Sequence, residues 1–194
     1  ARVPTIREPF AAAVTPDGKA VLVGNFLPNV RTNELFVIDV AAVVTVIDTQ
    51  THQTSAIQLP DCSHSLRQFC FSADGKYAYV THILSNFGLV TSQLDQGWMN
   101  INALSVIDLH EKKVVKTAGL DEAFLGTGNP WGVDCTSDGK PICASHAGTP
   151  QLSVVDTLAV MGRLEPLYVN PLAHAIPYDA RRGTDPRRRI KLPG

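Results

Sequence analysis

A chain of 194 residues is long enough for one domain with a real core, or for two small ones. Hydrophobic residues at 44%, charged residues at 18% and a formal net charge of -1 are ordinary for a globular protein and give no global reason to expect nucleic acid or an anionic membrane as partner. No apolar run approaches the roughly 20 residues that span a bilayer. Ala1-Arg2-Val3-Pro4 has no apolar core behind it, so no secretion signal is read there. The chain does not begin with Met and looks processed or trimmed, which leaves the compartment open.

In chain order, residues 1–9 read as irregular. Phe10 to Val14 then reads as a strand of small residues suited to a crowded innermost position, Pro16-Asp17-Gly18 as its turn, and Lys19 to Asn25 as the returning strand. Phe26 to Glu34 is a polar insertion. Leu35 to Asp48 carries Val-Ile-Asp twice, and the copy at Val46-Ile47-Asp48 is taken as the repeat's own, because Thr49-Gln50-Thr51 supplies turn chemistry after it. Gln53 to Leu59 is expected to add a fourth strand. The second unit runs from Phe69 through Asp74-Gly75-Lys76 to His82, with the longest insertion over Ile83 to Asn102. Leu104 to Asp108 and Val114 to Leu120 complete it. The third opens at Trp131-Gly132-Val133, turns at Ser137-Asp138-Gly139-Lys140, reaches His146 and ends in Val154-Val155-Asp156. Asp17 precedes Asp48 by 31 residues, Asp74 precedes Asp108 by 34 and Asp138 precedes Asp156 by 18, so the third unit is the basic form and the others carry insertions at one shared place. After Leu164 the pattern dissolves into a proline-broken tail. It holds at most a short helix around Asn170 to Ala175, and its basic run Arg181 to Lys191 reads as a solvated loop or, secondarily, a docking patch for an acidic partner.

VTPDGKAVLVGN with VTVIDTQT, and FSADGKYAYVTH with LSVIDL, resemble the YVTN family of β-propeller repeats, over roughly residues 8 to 164. The resemblance implies an all-β fold of β-propeller blades, each of four antiparallel strands, about three of them present. The units are placed at 8–60, 66–120 and 130–164, with an irregular basic tail at 165–194, all in one partial domain. Closed propellers have four to eight blades. The chain is therefore expected to be a piece of a longer propeller, or to close against other chains. The resemblance extends to bacterial surface or periplasmic propellers, some joined to c-type haem modules, and implies an extracytoplasmic location. This chain has no haem-attachment motif, and no cofactor is expected of it.

Aligning the turns puts Asn25, His82 and His146 at one equivalent position, on the rim that also carries both insertions. Loops held by a rigid scaffold are where ligand sites gather. Asn25, His82, Trp98, Asn100, Trp131 and His146 are the ligand-binding candidates. His82 and His146 are weaker candidates for metal ligation or proton transfer, against a plain role in capping strand ends. Trp131 also reads as blade-to-blade packing. Asp48, Asp108 and Asp156 lie at the opposite rim and are expected to accept backbone amides in turns. Cys62, Cys70, Cys135 and Cys143 contain no CxxC pair; buried thiols are the main reading, with a Cys135–Cys143 disulfide across one hairpin as the alternative. The function read from this is a non-enzymatic propeller module recognising a protein or small ligand on its loop-bearing face. The alternatives are a propeller enzyme of lactonase or dehydrogenase kind, and an electron-transfer accessory whose haem comes from another segment.

Overall fold

Three Asp-Gly corners fold back their hairpins by one mechanism. The hydroxyls of Thr15, Ser72 and Thr136 donate to Asp17 (2.7 Å), Asp74 (2.6 Å) and Asp138 (2.5 Å). The same carboxylates accept the backbone N–H of Lys19, Lys76 and Lys140. Gly18, Gly75 and Gly139 then take φ of 71°, 68° and 68°, the left-handed region where a Cβ is penalised. These bonds, the hydroxyl's first, hold all three carboxyls below their ordinary pKa. The computed structural model describes residues 2–30, 40–85, 100–121, 126–163 and 187–192.

Around these corners stand three antiparallel sheets. The first joins β1 (Pro9–Val14), β2 (Ala20–Asn25), β5 (Val43–Asp48) and β6 (Thr54–Gln58) in that order, while β3 (Asn29–Val30) and β4 (Val40–Ala41) pair as a small separate ribbon. In the second, β9 (Tyr77–Ser85) lies between β10 (Asn100–Asp108) and the short strands β7 (Ser63–His64) and β8 (Phe69–Phe71), and β11 (Lys113–Gly119) closes the outer edge. The third is β12 (Pro130–Cys135), β13 (Pro141–His146), β14 (Gln151–Asp156) and β15 (Arg187–Lys191).

The sheets pack face to face in sequence. Leu22, Val44 and Ile57 of the first meet Phe69, Val80 and Ile107 of the second; Tyr79, Leu104 and Val106 on its other side meet Val133, Ile142 and Val155 of the third. The middle sheet is therefore buried on both faces, and β9 and β10 are buried almost without interruption, whereas β13 alternates half-buried positions with buried ones, among them Ile142 of the second core. Each fully buried Leu or Ile contributes about 1.5–3 kcal/mol. The innermost strands β1, β8 and β12 are neighbours, as are the outer strands β6 and β11. Gly24 marks the tightest approach: a Cβ there would lie 3.1 Å from the Phe69 ring and 3.3 Å from Leu66.

Three expectations change. The second insertion does not begin at Ile83: β9 and β10 run on together from Ile83–Asn102 to Ser85–Asn100, since Leu84 and Ile101 make a small apolar cluster with Ala103 and β7 covers the extension. The third unit has no fourth strand directly after Asp156. There Asp156 accepts the N–H of Ala159 at 2.8 Å and caps α1 (Thr157–Arg163), whose Val160 packs into the second core. The vacant edge is filled from the tail, so the basic residues 187–191 are a strand and not an irregular loop. Arg189 there donates to Gln151 Oε1 and to the carbonyl of Leu120, tying the third sheet to the second. The suggested helix at 170–175, the first Val-Ile-Asp copy at 37–39 and most of the tail lie outside the described residues. Among the described residues no helix is long and apolar enough to cross a membrane.

Candidate functional site

The rim opposite the Asp-Gly corners carries a repeated polar pair. Asn25 donates to Thr45 Oγ1 (2.9 Å) and to the Val43 carbonyl; His82 Nε2 shares a hydrogen bond with Ser105 Oγ (2.7 Å), and His146 Nε2 with Ser153 Oγ (2.8 Å). Each hydroxyl stands three residues before a Val-Ile-Asp or Val-Val-Asp aspartate, so both halves of the pair were present in the repeat. Both histidines are buried, and burial lowers each pKa to about 4; Arg189 adds to the effect at His146. They are neutral at pH 7 and bonded within their own sheets. Among the described residues the grouped metal-ligating side chains are Cys70, Asp134 and Cys135, and neither histidine is with them. Asn25 Oδ1 and His146 Nδ1 are buried without a hydrogen-bond partner among the described residues.

Beside this row lies a second polar chain. His64 Nδ1 is 2.8 Å from Ser65 Oγ and its Nε2 is 2.6 Å from Ser85 Oγ, which donates to Asn100 Oδ1 at 2.5 Å. Burial, then the charge of Arg67, lowers the His64 pKa. Asn100 is exposed at the end of this chain, whereas Trp98 lies outside the described residues. Asp121 gathers the N–H groups of Asn102 and Thr127, both at 2.7 Å, and fixes the next loop.

Trp131 is where the three sheets meet. The Arg67 guanidinium carbon stands 4.1 Å from the Trp131 ring centroid, 4.5 Å from Phe26 and 5.2 Å from Phe10. Phe10 packs on Phe26 at 5.4 Å and meets Trp131 edge-on at 6.2 Å. Phe10 and Trp131 remain 48% and 46% exposed. Phe10, Arg67 and Trp131 occupy the same step of the repeat, one residue beyond the aligned Pro9, Leu66 and Pro130. Equivalent positions converge here because the first strands crowd together, while Asn25, His82 and His146 stand one strand further out. That register was readable from the sequence; the convergence depends on which strand is innermost.

On the opposite rim a cleft of about 640 Å³ opens between the first two sheets over Leu22, Val46 and Ile57. Its carboxylates Asp17 and Asp48 already accept turn donors. Asp48 and Asp108 each take two backbone N–H groups, as expected of them. Cys70, Cys135 and Cys143 are thiols, so the alternative of a Cys135–Cys143 disulfide is not what forms. Cys135 faces away across the sheet seam and donates to the Phe71 carbonyl at 2.7 Å. Burial and the neighbouring Cys135 push the Cys70 pKa up.

Antiparallel units of four or five strands stacked face to face, with first strands gathered inward, define a β-propeller-like all-β protein. The sequence is similar to hydrazine synthase subunit beta of Kuenenia stuttgartiensis, 25% identical over 155 residues that make up 79% of this chain and 38% of that one. The fold is similar to a solved structure of Kuenenia stuttgartiensis hydrazine synthase, with a TM-score of 0.64 and 23% identity over 78% of this chain and 40% of that one. The chain thus spans less than half the length of these relatives. No protein-family model matches the sequence.

Proposed function

We propose that this chain is a non-enzymatic propeller segment that binds a protein partner through its insertion-bearing rim, as one component of a multi-chain assembly. The observation that carries this reading is the Arg67, Phe10, Phe26 and Trp131 cluster, contributed by all three blades and half open to solvent. Arg, Trp and other aromatics with a desolvated cation are the side chains that dominate binding energy at protein interfaces. The similarity to a chain named as a subunit of hydrazine synthase supports life within a complex. The YVTN-like repeats support a surface or periplasmic setting and closure by further blades.

The test is association of the full-length protein with chains similar to the other subunits of that complex, measured by titration of purified components. Replacing Trp131 with Ala is expected to cost about 2 kcal/mol of binding, or roughly thirtyfold in Kd. Unchanged affinity with the fold intact contradicts the reading. A catalytic role for the rim histidines makes a different demand: His82→Asn, which copies the first blade's own residue, would abolish turnover while leaving association unchanged.

A further inference from the structure

At the seam between the second and third sheets, Cys70 in the core and Cys135 packed against it lie beside a carboxylate. Cys70 comes from β8 and is buried; Cys135 and Asp134 come from β12, half-buried and exposed. Their two sulfurs and a carboxylate oxygen lie within 4.8 Å of one another. Neighbouring residues on a strand ordinarily point to opposite faces. Here Asp134 folds back to accept the Cys135 N–H at 2.8 Å, which brings its carboxylate to the side of the thiols. Ligand atoms on one tetrahedral ion with Zn–S near 2.3 Å stand about 3.5–3.8 Å apart, so small side-chain rotations close the set.

We propose that Cys70, Cys135 and Asp134 form a binding site for a thiophilic divalent cation of the Zn²⁺ class, bridging the second and third blades. Two thiolates select a soft or borderline ion over Mg²⁺ or Ca²⁺, the carboxylate adds a third ligand, and the solvent side at Asp134 leaves a fourth position for water. Binding replaces the thiol protons, so affinity rises with pH. Because the ligands come from two sheets, the ion staples blade to blade, a structural role independent of partner binding at the rim.

The test uses the full-length protein kept reduced with a non-chelating phosphine, with Co²⁺ as the optical probe and Zn²⁺ as competitor. The expected result is one tight equivalent of Co²⁺ with thiolate-to-metal charge-transfer absorption, displaced by Zn²⁺, together with a rise in the unfolding temperature. Cys70→Ser and Cys135→Ser each abolish the charge-transfer band, and Asp134→Asn, an exposed change that leaves the core untouched, weakens binding by about tenfold or more. His110→Ala removes an exposed imidazole from the turn after Asp108, outside the proposed ligand set, and leaves binding unchanged. No charge-transfer band, a band that survives both Cys substitutions, binding lost in His110→Ala, or full affinity in Asp134→Asn each overturns the proposal.

Discussion

The two rims of this molecule are built from the same repeats, yet one is uniform and the other varied. At the corner rim all three units repeat a hydroxyl, an aspartate and a left-handed glycine, and each carboxylate is held by the same donors. At the insertion rim one repeat position is Asn25, His82 or His146, another is Phe10, Arg67 or Trp131, and the connecting lengths differ. Where geometry alone is at stake the sequence repeats itself; where side chains face outward or toward the common axis it varies. The corners are architecture, and the varied rim is where the proposed recognition would be written.

The largest effect is expected where both rims depend on the shared core. Leu104→Ala, at a position with no exposure between the second and third sheets, should cost about 2–5 kcal/mol in urea unfolding, because a cavity is left in a packed seam. Loss near zero would mean that the sheets do not pack as described. Next comes the buried imidazole at the varied rim. His82 is neutral in the folded chain, with its pKa lowered to about 4, whereas an unfolded chain takes up a proton near 6.5. The unfolded state binds more protons between those values, so stability should fall as pH drops from about 6.5 to about 4, by about 1.4 kcal/mol per pH unit for this one group. His82→Asn should flatten that slope while keeping a donor toward Ser105, as Asn25 does toward Thr45. An unaltered acid profile would show that His82 is not the group being titrated.

The corner rim gives smaller numbers. Gly75→Ala has room, since its Cβ would only touch Pro16 at 3.6 Å, yet φ of 68° penalises any side chain; a loss of about 1–2 kcal/mol by thermal unfolding is expected. Lys19→Ala should stay within about 0.5 kcal/mol, as its 3.7 Å pair with Asp17 is solvent-exposed. If the lysine mattered more than the glycine, backbone geometry would not be what the corners encode.

The corners and the turn roles of Asp48 and Asp108 were legible because each is local, fixed by residues a few positions apart; the strand order of the first two blades was legible from the repeat, apart from β7 (Ser63–His64). The fourth strand of the third blade was not. Asp156, which looks like the other repeat aspartates, caps a helix because Leu158, Ala159 and Val160 follow it, and the edge is then completed by Arg187–Lys191, a pairing no local pattern encodes. The aligned positions beyond Pro9, Leu66 and Pro130 were readable as a column, but Phe10, Arg67 and Trp131 set two aromatics beside a cation and repeat no single side-chain type. Only their meeting at the innermost strands turns them into a cation held by aromatic faces. The apolar pairs that prolong β9 and β10 were visible as Ile83-Leu84 and Ile101, and were outweighed by the polar residues around them.

The most direct test is hydrogen–deuterium exchange of the full-length protein, alone and in complex with its partner chains. This account predicts protection on binding in peptides covering Phe10, Phe26, residues 63–68 and Trp131, with the corners at 15–19, 72–76 and 136–140 unchanged. Protection confined to the corners, with the Arg67 rim exchanging as it does in the free protein, would contradict it.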